Sequence, residues 1–453
     1  MSIPARRLGQ LNVTRDFSFT TRHVELPAEE FIYRQGVSGI LLVGAGLLAL
    51  AWANSPWAGA YFGLWEAKLS FHFAFIHIDK SLHHWINDGL MTLFFFLVGM
   101  EIKHEAVHGH LSSLKHAVLP VVAAAGGMIV PALLFVSLNW GSSTVGGWGI
   151  PMATDIAFAV GVMALVSGIP HQLKVFLLAL AIVDDIGAIL VIALFYSETV
   201  RIAPLVLGIC LLLVIAALRR AKVQFGFPYV LVGALFWLTI LRSGIHATIA
   251  GVILALMVSS RETISKHEFE QRALPLLEGL QQANRDGNVN VADANLGAIE
   301  ALAVSTDPPI ERITRALHPW VGFVVLPLFA FANAGVTFSP RVITESMGSV
   351  VFLGVLTGLV VGKPLGIVAF TWLAARFGFG ELPPSAGMSG ILGAGVVAGI
   401  GFTVAIFIAD LAFPVAQQVA TAKIAILIGS LISGISGYLL LRFVTRKPEA
   451  TRL

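Results

Sequence analysis

Ala181-Ile182-Val183-Asp184-Asp185-Ile186-Gly187 sits in the middle of an apolar run, residues 172–197. A run of about 17–25 apolar residues is what a helix needs to cross a hydrocarbon core ~30 Å thick at 1.5 Å per residue. Lipid offers the backbone no hydrogen-bond partners, so such a run must be helical. Two adjacent carboxylates at its centre are therefore costly. Each intramembrane charge costs about 2.5–3.5 kcal/mol at a helix centre, and such residues mark ion or proton pathways. Neighbouring helix positions differ by about 100°. One aspartate can thus face an ion cavity while the other turns to a neighbouring helix and a counter-charge.

The rest of the chain repeats this pattern. Of 453 residues, 57% are hydrophobic and 12% charged, against about 25% charged in a soluble protein. Twelve spans are expected, at roughly 36–54, 84–104, 116–137, 148–167, 172–197, 202–218, 227–242, 244–260, 319–337, 349–376, 387–411 and 418–443. Residues 1–35 carry five arginines and no apolar core, which reads as a retained cytoplasmic tail rather than a cleaved signal peptide. With that tail and residues 444–453 both cytoplasmic, 22 Lys and Arg residues fall inside and 6 outside, leaving Lys363 in mid-span. That asymmetry fits the positive-inside rule.

Cys210 is the single cysteine, so no internal disulfide can form. Residues 55–83 include Leu69-Ser70-Phe71-His72-Phe73-Ala74-Phe75, whose alternation fits either a strand on the outer surface or an irregular amphipathic loop. The long cytoplasmic connection 261–318 reads as an amphipathic helix from His267 to Ala283, a polar linker from Asp286 to Asp293 and a short helix from Ala294 to Val304.

Asp155 and Lys363 join Asp184 and Asp185 as charges inside predicted spans. Together the four would cost on the order of 10–14 kcal/mol, comparable to the whole stability of a domain. Desolvation disfavours the charged form of any ionisable group. Carboxylates held there can take a proton or a hard cation, but not both, and oxygen ligands suit hard cations. Two spans carry helix-breaking residues at mid-depth: Gly149, Pro151 and Thr154 before Asp155, and Gly390, Gly393, Gly395, Gly399 and Gly401 in 387–411. Glycines of this kind also serve close helix packing. Interrupted spans in corresponding halves point to a midplane ion site. The expected halves are 116–197 and 349–443, three helices each, inverted relative to one another.

Five stretches then resemble the NhaA family of bacterial sodium/proton antiporters. They are Ala153-Thr154-Asp155-Ile156-Ala157-Phe158-Ala159, the Asp184-Asp185 segment, Ser243-Gly244-Ile245-His246-Ala247-Thr248, Leu326-Pro327-Leu328-Phe329-Ala330-Phe331-Ala332-Asn333-Ala334-Gly335 and Gly362-Lys363-Pro364-Leu365-Gly366. The resemblance runs from about residue 36 to 443 and implies an all-α membrane protein of about twelve transmembrane helices. In that fold, inverted three-helix repeats carry two interrupted helices that cross at mid-membrane.

The implied activity is exchange of sodium or lithium for protons across the bacterial inner membrane by alternating access. Asp184 and Asp185 are then the cation- and proton-binding pair, with Asp185 as sodium ligand and Asp184 paired to Lys363. Thr154 and Asp155 lie at the helix crossing. Glu101, Lys103, Glu105, Glu262, His246 and His318 form the cytoplasmic mouth and the groups that respond to pH. No cofactor and no nucleic acid is implied. Besides the ions, the implied partners are the lipid bilayer and a second copy of the chain, through the 55–83 segment. The chain departs from the family pattern in its long 261–318 connection, in Thr314 and Arg315 where a Glu-His pair is expected, and in the extra acid Asp410.

Other classes fit less well. Neither Asp155 nor Asp185 has the Gly-x-Gly-Asp context of an intramembrane aspartyl protease. Ser389 has no histidine in a later span to act as its base. No ring of filter residues points to a channel. A sodium-coupled solute symporter is the strongest rival, but it would need more polar groups in its spans than the carboxylate cluster supplies.

Overall fold

The computed structural model describes residues 28–73, 76–197, 199–221, 223, 226–262, 264–380, 382 and 387–445. Both expected tails therefore lie largely outside the described residues. Within them, nine helices are long and apolar enough to cross a membrane, and two bent helix pairs raise the number to as many as eleven. Among the described residues the protein is all-α apart from one small hairpin, as befits a multi-pass membrane protein. Its outer helices show why lipid is the solvent. Ile202–Arg220 packs beside Gly226–Ser243, and this pair turns Ile202, Leu213, Phe227 and Val230 outward, all strongly exposed. In water such a surface would be a large association patch.

The structure revises two expectations and decides between two alternatives. In place of a 244–260 span stands Thr248–Met257, ten residues that reach about 15 Å. Gly244, at φ 84°, and the turn after it delay the start of that helix. Extended backbone at Val258 ends it, where Lys103 Nζ bonds the carbonyls of Leu256 (2.7 Å) and Val258 (2.5 Å).

The alternating stretch after residue 66 is a strand rather than an irregular loop. Lys68–Phe73 pairs antiparallel with Ile76–Ser81 in a two-stranded sheet. Ala74 and Phe75 lie outside the described residues.

The 261–318 connection is more ordered than its composition implies. Lys266–Arg285 and Val289–Thr306 pack against each other as a helical hairpin. The polar linker shrinks to residues 286–288 because Gly287 turns the chain at φ 68° and the Asn288 side chain caps the next helix, accepting from Val291 N at 3.4 Å. Ile264 N donates to Ser305 O at 3.3 Å and closes the base of this hairpin. The next span then starts at Pro309, ten residues before the expected 319, since proline with its fixed φ suits the first helical position.

Two triplets of helices frame the centre. Leu114–Asn139, a broken middle element and His171–Phe195 form one; Val350–Arg376, a broken middle element and Ala416–Thr445 form the other. The opening helices of the two triplets, Leu114–Asn139 and Val350–Arg376, pack directly. Gly126 and Gly366 face each other's backbone with no room for a Cβ on either side. This glycine-to-glycine approach is the small-residue packing that lets membrane helices come close.

Candidate ion site at a crossing of helix ends

Each broken element has a distinct local cause. In the first, Val145–Met152 is a 3-10 segment containing Pro151; residues 153–155 are extended and Ile156–Ala164 resumes the helix. Tyr196 pins that segment from outside the span. Its hydroxyl donates to Gly146 O at 2.7 Å and accepts from Gly149 N at 3.2 Å. In the second, Gly387–Ala398 and Phe402–Ala412 meet at 49° across Gly399-Ile400-Gly401. A Cβ on Gly401 would lie 3.1 Å from the Ala153 carbonyl, which makes this glycine a condition of the crossing.

The two breaks are hydrogen-bonded to one another. Asp155 N donates to Ile400 O at 2.7 Å, and Thr154 Oγ1 to Ala398 O at 2.9 Å. The Asp155 carboxylate bridges two helix starts. Oδ1 accepts from Phe158 N at 3.0 Å, while Oδ2 accepts from Thr403 N at 3.1 Å and Thr403 Oγ1 at 2.6 Å. A helix start carries partial positive charge and a helix end partial negative charge. Asp155 therefore answers two starts at once. The Thr154 hydroxyl and the Lys363 ammonium answer the two ends, Lys363 Nζ donating to the Met152 carbonyl.

Lys363 Nζ also meets Asp184 Oδ2 at 2.6 Å, with side-chain exposures of 0% and 1%. The lysine reaches that position from a wide π turn, Gly358–Gly362, directly before it. Pro364 lacks an N–H, and a π turn at this point absorbs the missing bond. Asp185, on the next face of its helix, is equally buried. Asp184 Oδ1 and Asp185 Oδ2 are buried without a hydrogen-bond partner. A buried acceptor left unpaired costs roughly 1–3 kcal/mol, more if charged. Either oxygen can be satisfied by a proton or by a hard cation.

Of the groups expected at the cytoplasmic mouth, the structure brings some together and separates others. His318 Nε2 lies 3.8 Å from Glu101 Oε1, and one turn away His104 Nε2 lies 3.7 Å from Glu311 Oε1. Lys103 and Glu105 stand on the same helix end, Lys103 engaged with the Thr248–Met257 carbonyls. Glu262 is exposed at the start of the connection.

His246 belongs elsewhere. It is 3.9 Å from Asp88 Oδ1 and bonds Thr248 Oγ1 at 3.1 Å, beside a His84–Asp88 pair at 2.7 Å. Asp88 and Glu101 are thirteen residues apart on one continuous helical span, about 20 Å along its axis. The Ser243-Gly244 turn carries His246 to the far end of that span, which a linear motif cannot reveal.

Sequence reasoning missed Thr403, whose only signal is a hydroxyl two residues past the Gly399–Gly401 break. It also left Asn87 and Asn333 unassigned. Among the described residues no three His, Cys, Asp or Glu side chains group as a metal cluster.

Residues 29–441 match the family model described as Na+/H+ antiporter 1. The chain is 43% identical to a protein named Na(+)/H(+) antiporter NhaA 2 from Sorangium cellulosum, over 100% of this chain and 94% of that one. It is 44% identical to the Na(+)/H(+) antiporter NhaA of Tolumonas auensis, over 92% of this chain and 95% of the relative. For the Na(+)/H(+) antiporter NhaA of Wolinella succinogenes the figures are 43%, 90% and 91%.

Proposed function

Because this chain belongs to the Na+/H+ antiporter 1 family, we propose that it exchanges sodium for protons at the crossing of helix ends, with Asp184 and Asp185 as the binding pair. The observation that carries this reading is the pair of unpartnered carboxylate oxygens, Asp184 Oδ1 and Asp185 Oδ2, beside a fully buried lysine. Asp185 is the principal cation ligand, since Lys363 already occupies Asp184. A sodium or lithium ion and a proton compete for the same oxygens, so loading one expels the other. Competition of this kind, with access alternating between the two faces, is sufficient for coupled exchange.

We take the two triplets with their broken middle helices as inverted repeats. The spans number twelve when the bent pairs and Thr248–Met257 are each counted as one crossing. Side-chain clustering supports this topology. Residues assigned inside, Glu101, His104, Glu311 and His318, contact one another, and so do residues assigned outside, His83, Asn87, Asn333, Asp410 and Lys423. In this reading both termini are cytoplasmic and the protein resides in the bacterial inner membrane. The Lys68–Ser81 hairpin offers strand edges through which a second copy can dimerise. Glu101 and His318, with Lys103 and Glu105, tune access at the inner mouth.

The test is reconstitution into vesicles with a pH dye inside. Adding sodium alone, with no organic solute, should move protons; no proton movement at any pH between about 6 and 9 would overturn the assignment.

A further inference from the structure

The acid that the crossing does not use, Asp410, lies near the end of Phe402–Ala412, and its side chain is engaged on both oxygens. Oδ1 meets Lys423 Nζ at 2.9 Å, from the following helix Ala416–Thr445. Oδ2 accepts from Asn87 Nδ2 at 3.4 Å. Asn87 is in turn held by Asn333, whose Nδ2 donates to Asn87 Oδ1 at 2.8 Å, and His83 Nε2 lies 2.8 Å from Asn333 Oδ1. Beneath this polar layer, one turn back along the same helix, Phe407 packs on Phe95 and Phe329 at centroid distances of 5.8 and 6.2 Å. All three rings are at most 1% exposed. The two layers join the same three partners: the second broken helix, the span Leu82–Val107 and the span Pro309–Asn333. Asn87 is fourteen residues from Glu101 along its span, so this seam lies about 21 Å from the Glu101–His318 mouth.

We infer that Asp410 and Asn87 form an outer latch over an aromatic seal, which holds the second broken helix shut against the Leu82–Val107 and Pro309–Asn333 spans. Lys423 fixes the Asp410 carboxylate so that its second oxygen is presented to Asn87. Access from this face requires the latch to part and Phe407 to leave Phe95 and Phe329. The inference rests on the exchange reading for its transport readout only. A contact made in one state and lost in the other biases the balance between them by its own free energy.

Sidedness tests it. In oriented vesicles, Asp410→Ala and Asn87→Ala should each strengthen apparent sodium affinity at the Asn87 face and weaken it at the Glu101 face. The expected size is about fivefold, which the net contribution of a single long hydrogen bond supports. The double variant should shift no further than either single one, because both remove the same tie. A second readout needs no transport. In a Cys210→Ser background, Ala330→Cys sits beside Phe329, below the latch. An impermeant maleimide added at the Asn87 face should label it faster once Asn87→Ala is introduced. Equal affinity changes at both faces, or unchanged labelling, would overturn the latch. Absence of exchange in the unmodified protein would instead strike the proposed function and leave the labelling result to judge the latch.

Discussion

Two lysine–aspartate pairs in this molecule use the same chemistry at different depths. Lys363–Asp184, at 2.6 Å, has 0% and 1% exposure; Lys423–Asp410, at 2.9 Å, has 10% and 13%. Their surroundings differ more than their distances. The deep pair leaves Asp184 Oδ1 without a partner and stands beside a second unpaired carboxylate. In the shallow pair both carboxylate oxygens are taken, by Lys423 and Asn87. In the proposed reading the fully satisfied pair is a structural tie, while the half-satisfied pair keeps an acceptor for a proton or a cation; the count of unfilled acceptor sites, not depth alone, distinguishes the two.

The comparison breaks first at Asp185. Asp185→Asn keeps the shape and removes the titratable charge, so sodium- and lithium-driven proton movement should vanish while the inserted protein level stays unchanged. Normal exchange by this variant over the full pH range would remove Asp185 from the site.

Next in size is the deep pair itself. Lys363→Ala leaves Asp184 buried without its counter-charge, and the expected loss is about 3–5 kcal/mol of stability. Lys363→Met combined with Asp184→Leu should recover most of that loss in thermal unfolding while remaining inactive. A single variant with an unchanged melting temperature would show that the pair is not holding the fold. Lys423→Ala is the shallow counterpart. Its cost should be smaller than that of Lys363→Ala, because Asp410 keeps its bond to Asn87, and exchange should persist.

Competition at the carboxylates also sets a sign for pH. As pH falls, protons win the shared oxygens, so the sodium concentration for half-maximal exchange should rise. In vesicles titrated from about pH 8.5 to 6.5, a half-saturating concentration that stays flat or falls would contradict a shared site.

The smallest effect is expected from the cytoplasmic hairpin. Ile264 and Ser305 meet at its base, so residues 266–304 can be excised with a short glycine link. Exchange should survive, with its pH midpoint moved by less than about one unit, because surface charges are screened beyond about 8 Å at physiological salt. Loss of all pH dependence, with unchanged protein level, would place the sensor in the hairpin.

How much of this was legible beforehand divides along physical lines. The deep charges announced themselves because lipid makes an unexplained Asp184, Asp155 or Lys363 expensive, and cost is visible in sequence. The breaks at Pro151 and Gly399–Gly401 were legible for a similar reason, since backbone irregularity at mid-span needs a purpose. Thr403 was not legible. A threonine in an apolar run carries no such cost, and only the crossing makes it a ligand of Asp155. His246 was read from a linear motif, and chain direction after Gly244 determined which mouth it joined. The hairpin helices were partly legible from amphipathicity, but the Asn288 cap shifted a boundary by five residues.

The π turn at Gly358–Gly362 inserts one residue beyond what an α-helix would use, so the faces before and after it are out of phase by about 100°. Val350–Thr357 can set Gly354 against Asn139 and Phe135, while the next segment aims Lys363 at Met152 and Asp184. One helix thus answers to two sets of neighbours that a straight α-helix could not serve together. Excising a single residue from this turn would leave composition and hydropathy almost untouched. It would nonetheless rotate the lysine out of register with the carboxylate, a frameshift in three dimensions rather than in the gene.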